Sequence, residues 1–469
     1  MSDASSMFGL LRQAADNDVV DAIEKLVAEA PDHHLHRINA LAFAERHGLR
    51  EEKVVAAFVH GARIGLFDMA WNVLCPGCGG VLDTNASLKT IQKDHYTCSL
   101  CADSYTPTLD EMVEVTFTVS PRVRKIAGHT PEELPLIEYY RQMYWGSGVD
   151  LPEQGYEQLV DQFIIDHVEL RPGEKAVLSV QLPAEFIIVF EPVTHSVHFL
   201  DVKGEPTRER QSLSIGYDRE YTHSETFEMQ PGPLRLAVEN HSDARVLPSI
   251  CIAGDVLHGM LDKRRPFLTA KHLLTNQTFR DLYRADSLDV GQRLRITSLT
   301  FLFTDLRGST ELYDRVGDLV AFDLVQSHFQ VLNEIVAAEA GAVVKTIGDA
   351  VMATFPTPDR AVAAALRMRE AMQRLNEERH SEDLLLKIGL HEGPCIAVSM
   401  NERQDYFGQT VNIASRVQGL ANARSIFATE SVVHDVRTAE LLRDKSLLPE
   451  VRPTSLRGIG QTVQVYAIP

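Results

Sequence analysis

The feature that most constrains this chain is a change in the period of its apolar residues, which happens twice. In the N-terminal part, apolar side chains recur at helical spacing. From about residue 110 to 255 they alternate in short runs: "MVEVTFTV", "KAVLSVQL", "EFIIVFEPV", "HSVHFLDV", "QSLSIGY" and "LRLAVEN". Turn residues separate these runs at fairly regular intervals. From 298 onward, strand-like and helix-like runs take turns. A length of 469 residues suits about three domains, so the expectation is a multidomain α+β chain.

Residues 1–30 read as an acidic amphipathic helical segment closed by Pro31. Residues 31–72 read as a helix, a turn around Gly48, a second helix and the strand "GLFDMAW". That order resembles a winged helix-turn-helix. The segment carries five acidic and five basic residues, and its would-be reading helix offers few donors for phosphates or base edges. Net charge over the whole chain is −19. From 298 onward there are 22 acidic and 17 basic residues, so the first 297 residues carry −14 of it. This balance argues against DNA and against an anionic membrane, since both are bound through clustered Lys and Arg. No run of about 18 apolar residues is present, so no membrane span is expected. The first twenty residues lack the basic-then-apolar order of a secretory signal, and the expected location is cytoplasmic.

Residues 73–108 contain Cys75, Cys78, Cys98 and Cys101, two Cys-x2-Cys pairs separated by 19 residues. Each pair forms a tight knuckle that presents two sulfurs, and four thiolates at this spacing suit tetrahedral Zn²⁺ in a zinc ribbon. Four sulfurs leave no open position for water, so a structural role is expected. Cys251 and Cys395 read as isolated core residues. Residues 109–255 read as a β-sandwich accessory domain, and 256–297 as a helical linker around Pro266. The histidines of "DHHLH" and "THSVH" are expected to be solvated or hydrogen-bonded rather than to hold a metal.

In residues 298–469, the strand "LTFLFTD" ends in Asp305, and "LRGSTELYDRVG" turns it into a helix. Backbone amides around Leu306, Gly308, Ser309 and Thr310 would open that helix, where phosphate oxygens bind readily. "GAVVKTIGDAVMATF" reads as a hairpin with Asp349 at its tip. Two carboxylates on neighbouring strand ends suit hard divalent ions such as Mg²⁺. In "DYFGQTVNIASRVQGLA", Asn412 and Arg416 are four apart and share one helix face, while Asp405 lies on the strand or turn before them.

These motifs, with "GLHEGP" and "LRGIG", make residues 298–469 resemble the class III nucleotidyl cyclase catalytic domain, a ferredoxin-like α/β fold. The resemblance implies that Asp305 and Asp349, helped by the Leu306 carbonyl, bind two Mg²⁺ or Mn²⁺ ions. It implies that Lys345 and Asp405 read the purine, Asn412 orients the ribose, Arg416 stabilises charge at the reacting phosphorus, and Arg457 holds the terminal phosphates. Arg457 stands where many relatives have lysine. In the family the two halves of the site come from different subunits, so a homodimer is implied. A lysine donor and a carboxylate acceptor match the N1 and N6 edge of adenine, so the expected substrate is ATP. Guanylate cyclase and a catalytically silent nucleotide-binding module are the alternatives. A DNA-binding regulator is opposed by the charge, and a diguanylate cyclase by the missing Gly-Gly-Asp/Glu-Glu-Phe signature.

Overall fold

The computed structural model describes residues 2–218, 225–283, 294–380, 384–400, 403–422, 425–454 and 463–469. Four helices open the chain: α1 (Ser2–Ala14), α2 (Asn17–Glu29), α3 (Ala40–His47) and α4 (Glu51–Arg63). The acidic segment 1–30 is two helices because the Asp16 carboxylate accepts the Asp18 N–H and caps α2 afresh. Asn39 caps α3 in the same way, accepting from Leu41 and Ala42.

Strands β1 (Phe67–Leu74), β2 (Val81–Asn85), β3 (Tyr96–Cys98), β4 (Asp103–Tyr105) and β5 (Val113–Val119) follow. β3 and β4 form a separate hairpin, while β1 lies between β2 and β5 in an antiparallel sheet. This placement of β5 differs from the expectation that "MVEVTFTV" belongs to the strand-rich middle. It pairs along its length with β1, and Phe117 bridges to Ile38 on the other side. The alternation revealed a strand but not its partner. Val113, Val115, Phe117 and the intervening Glu114 and Thr116 are all buried, so neighbours on both faces decide where β5 docks. For the same reason residues 31–72 do not close on themselves: two strands of their sheet come from outside that range.

The middle of the chain holds the short helices α5 (Leu136–Tyr139) and α6 (Tyr156–Val160) and strands β6 (Ile164–His167), β7 (Lys175–Leu182), β8 (Phe186–Glu191), β9 (Ser196–Val202), β10 (Gln211–Tyr217), β11 (Glu225–Met229), β12 (Gly232–Asn240) and β13 (Ser249–Ile252). The order β10-β12-β7 makes one sheet and β11-β9-β8-β13-β6 another. Leu182, Val189, Leu200, Leu234 and Val238 fill a core common to the two. His198 of "THSVH" is buried, and its Nδ1 has no hydrogen-bond partner among the described residues.

Residues 256–297 are not one helical linker. They hold α7 (Asp255–Leu261), α8 (Ala270–Leu274) and α9 (Gln277–Leu282), and from Leu294 they already belong to β14 (Leu294–Leu306). The remainder is α10 (Ser309–Val316), α11 (Asp318–Ala338), β15 (Ala342–Ile347), β16 (Ala350–Phe355), α12 (Pro358–Arg379), β17 (Leu386–Met400), β18 (Arg403–Phe407), α13 (Gln409–Leu420), β19 (Ile426–Thr429), α14 (Glu430–Val433), α15 (Val436–Asp444), β20 (Glu450–Thr454) and β21 (Val463–Ile468). The unit β14-α11-β15-β16-α12-β17, with sheet order β15-β16-β14-β17, is the split βαβ arrangement of ferredoxin-like folds. β19, β21 and β20 extend the sheet, and β18 pairs with β17.

β14 is buried on both faces. Leu299, Phe301 and Phe303 join a core shared with α1–α4, the β1 sheet, α8 and α9. Leu302 and Leu306 join a second core under α11, α12 and α15. Burying a side chain such as Phe301 fully is worth about 1.5–3 kcal/mol. Polar contacts add register: the Asp110 carboxylate accepts the N–H of Ser298, at 3.1 Å, and that of Thr297, while the Leu109 N–H donates to Arg295 O at 2.9 Å. The N-terminal part is therefore packed onto one face of the C-terminal sheet.

Candidate functional site

β15 and β16 are joined by Gly348 and Asp349 alone. Gly348 has φ +64°, a left-handed conformation that favours glycine, and the tight turn delivers Asp349 beside the end of β14. The antiparallel β14–β16 ladder runs to Thr304 opposite Val351, and the Leu306 N–H donates to Asp349 Oδ2 at 3.3 Å. Asp305 and Asp349 thus meet at one strand end, both half-buried. Lys387 stands opposite Asp305 in the β14–β17 ladder, with Nζ 3.7 Å from Oδ2. At about a third exposed, this ion pair is worth at most about 1 kcal/mol, so it balances part of the carboxylate charge without locking it. Leu306 touches Asp349 through its amide. Gly308 opens α10 as expected, and the side chains of Ser309 and Thr310 lie outside the described residues.

A second pair forms sixty residues apart in sequence. Lys345 Nζ donates to Asp405 Oδ2 at 2.5 Å, linking β15 to β18 although β16, β14 and β17 lie between them in the sheet. The sheet must curl to allow this. Lys345 is 42% exposed and Asp405 15%, so the contact lies at the surface rather than in a core.

Asn412 and Arg416 lie one turn apart on α13, both exposed. α13 rests directly on β17: a Cβ at Gly389 would come 2.1 Å from Gln418 N, so the first glycine of "GLHEGP" permits the close approach. No contact among the described residues joins Asn412 or Arg416 to either acidic pair. Arg457 lies outside the described residues.

Three nearby residues escaped the sequence reading. Lys387 is visible only through strand register. His328 on α11 is fully buried, its two ring nitrogens have no partner among the described residues, and burial pushes it down to about 4 against the opposing charge of Asp349. Arg280 on α9 donates from Nη2 to the carbonyls of Gln404, at 3.0 Å, and Val344, at 3.5 Å. Nothing in the local pattern around either of the last two marks them.

A separate cluster lies where β1 ends and β3 closes its hairpin. The Sγ atoms of Cys75, Cys78, Cys98 and Cys101 all lie within 4.8 Å of one another and could hold a metal ion. Cys75 and Cys101 sulfurs are 3.6 Å apart, and those of Cys78 and Cys98 3.7 Å. A tetrahedral ion with Zn–S bonds of about 2.3 Å sets its sulfurs roughly 3.8 Å apart, so the donor set fits. The Gly80 N–H points at Cys78 Sγ at 3.4 Å, as a knuckle requires. Hydrogen bonding among the sulfurs, with Cys101 the leading partner, pulls the Cys75 thiol below its ordinary value and pushes Cys78 and Cys98 above theirs. Four thiolates crowded this closely need a cation to ionise together.

Comparison with known proteins divides the chain between residues 281 and 292. Residues 1–281 match the model of a family of unknown function, DUF5939, and residues 292–468 match the adenylate and guanylate cyclase catalytic domain. The chain is 28% identical over 185 residues to an adenylate cyclase of Anabaena cylindrica, covering 36% of each. It is 29% identical over 182 residues to adenylate cyclase 2 of Rhizobium meliloti, covering 36% of this chain and 49% of that one. The chain therefore spans between a third and a half of the length of these relatives. Among solved structures, the adenylyl cyclase CyaB from P. aeruginosa aligns with 24% identity and a TM-score of 0.34 over 38% of this chain and 96% of that one. No helix among the described residues is long and apolar enough to cross a membrane. With the first match spanning more than half of its length, the chain belongs to the family of unknown function DUF5939, and it carries a class III adenylate/guanylate cyclase catalytic domain at its C-terminal end.

Proposed function

We propose that the chain is an adenylate cyclase that converts ATP to 3′,5′-cyclic AMP and pyrophosphate at sites shared between the two copies of a homodimer, with residues 1–297 as a regulatory region. The observation that carries the adenine reading is the Lys345–Asp405 pair, a donor and an acceptor side by side near the surface. Adenine offers an acceptor at N1 and a donor at N6, and guanine reverses that order. For the base to enter, the pair opens. The Lys345 side is well exposed, so losing the contact costs at most about 1 kcal/mol, less than two new contacts to the base return.

Asp305 and Asp349 would hold the divalent ions, Mg²⁺ or Mn²⁺, which when bound acidify the 3′-hydroxyl and neutralise the triphosphate. Every other task falls to this chain's own groups. Attack by the 3′-hydroxyl on the α-phosphorus is intramolecular, so orientation is the main requirement, and Asn412 would set the ribose. Arg416 would meet the charge that grows on the phosphorus, and Arg457 the terminal phosphates. Asn412 and Arg416 stand exposed on one face of α13, open to a second copy that would bring its own Asp305 and Asp349. The four cysteines would hold Zn²⁺ in a structural role.

Incubation of the full chain with all four nucleoside triphosphates and Mg²⁺ or Mn²⁺, read by mass spectrometry, tests this. Cyclic AMP as the dominant product is expected. Dominant cyclic GMP would reverse the purine assignment, and the absence of any cyclic product would leave a nucleotide-binding module and overturn the enzymatic reading.

A further inference from the structure

The N-terminal family ends on α9, and α9 is packed behind the two strands that carry Lys345 and Asp405. Gln277, the first residue of α9, accepts the Val343 N–H at 2.8 Å. One turn on, Arg280 Nη2 donates to the carbonyls of Val344 and Gln404, the residues immediately before Lys345 and Asp405. Arg280 is half-buried, and its Nη1 is buried with no partner among the described residues. Its charge therefore sits against carbonyl dipoles.

Side-chain alternation shows why this matters for the pair. On β18, Gln404 and Tyr406 are buried while Asp405 points the other way, toward Lys345. The Gln404 amide donates to the Tyr406 hydroxyl at 2.8 Å, and Tyr406 packs against Phe301. On β15, Val344 packs into the shared core while Lys345 is exposed. The ladder between β15 and β16 is irregular between Val343 and Lys345, so sheet pairing alone leaves this stretch loosely specified. β15 and β18 are not neighbours in the sheet. Their separation at the level of Lys345 and Asp405 is fixed from behind, by one guanidinium that holds both backbones.

We propose that Arg280 is a positioning residue for purine recognition: the N-terminal unit, through α9, sets the spacing of Lys345 and Asp405 and so takes part in building the base-binding site. This rests on the adenine reading given above and extends it to residues outside the cyclase domain. A guanidinium suits the task because the two N–H bonds of Nη2 lie in its plane and are aimed in fixed directions, which those of a freely rotating ammonium are not. It also gives the unit a route to regulate the site, since any shift of α9 moves both strands together.

Steady-state rates of the full-length protein with ATP and with GTP test the proposal. Arg280→Met should raise KM for ATP about tenfold, as expected for loss of a charge-assisted contact, and lower the ATP-to-GTP ratio of kcat/KM by a similar factor. The kcat should change less, because neither the carboxylates nor Arg416 is touched. Arg280→Lys should show a smaller shift in the same direction, and it carries the same readout if Arg280→Met does not fold. Phe279→Leu, on the buried side of the same helix, should lower the melting temperature and leave KM and the purine ratio unchanged. Unchanged KM and purine ratio in both Arg280 variants would overturn the proposal, and so would an equal shift in Phe279→Leu. A wild-type protein that forms no cyclic product would instead overturn the enzymatic reading on which it rests.

Discussion

The cysteine cluster and the carboxylate pair are the two candidate cation sites of the chain, and they are assembled in opposite ways. The four sulfurs come from two knuckles, crowd within 4.8 Å, and include three buried residues. Such a set encloses an ion completely and has no position left for a substrate. Asp305 and Asp349 supply two half-buried carboxylates at a strand end, with Lys387 balancing one of them. As a cation site that set would be incomplete, and phosphate oxygens and water would have to finish it. By donor count and exposure, the first would suit a cation that holds a fold together and the second one that works on a ligand.

The sharpest way to break this contrast is at the carboxylates. Asp305→Ala or Asp349→Ala should reduce cyclic nucleotide formation by about 10³-fold or more while the melting temperature stays close to that of the parent. Mixing Asp305→Ala chains with Arg416→Ala chains should restore roughly a quarter of the wild-type rate, since half of the random dimers carry one intact site. A variant at either aspartate that keeps its rate would remove the assignment.

A smaller effect on turnover and a larger one on stability is expected at the cysteines. Cys98→Ser should abolish binding of one zinc per chain, measured by elemental analysis. It should lower the melting temperature by roughly 10 °C, as for losing a few kcal/mol from a domain of this size. Loss of activity without loss of stability would erase the distinction between the two sites.

A further test concerns acid, which acts on stability rather than on turnover. Burial pushes His195, His272, His328 and His391 down to about 4 and His36 to about 3, below the ordinary value of 6.5. The folded state then refuses protons that the unfolded state takes. Stability from these groups is present above pH 6.5 and falls as the pH drops from 6.5 toward 4, by about 1.4 kcal/mol per pH unit for each imidazole involved. Thermal melts across that window should show the slope, and His328→Leu should flatten part of it.

Several parts of the site were legible because they are local. A strand that alternates to Asp305, a hairpin whose Gly-Asp tip carries Asp349, and a helix that stacks Asn412 over Arg416 each depend on residues within a turn or two of one another. The cysteine knuckles are local in the same sense, and only the meeting of the two pairs needed the fold. The division of the C-terminal part into strands and helices followed from the same short-range periods.

What the sequence by itself determined, then, is which stretches become strand, turn or helix and which chemical groups each one carries, since steric preference and apolar period act over a few residues. The tertiary structure alone decided that "MVEVTFTV" joins β1, that Lys387 stands opposite Asp305, that Lys345 meets Asp405, and that Arg280 reaches behind both of their strands. The physical reason is that each of these depends on strand register and on burial of both faces of a sheet. Those are contributed by partners tens to hundreds of residues away, and no short window of sequence records them.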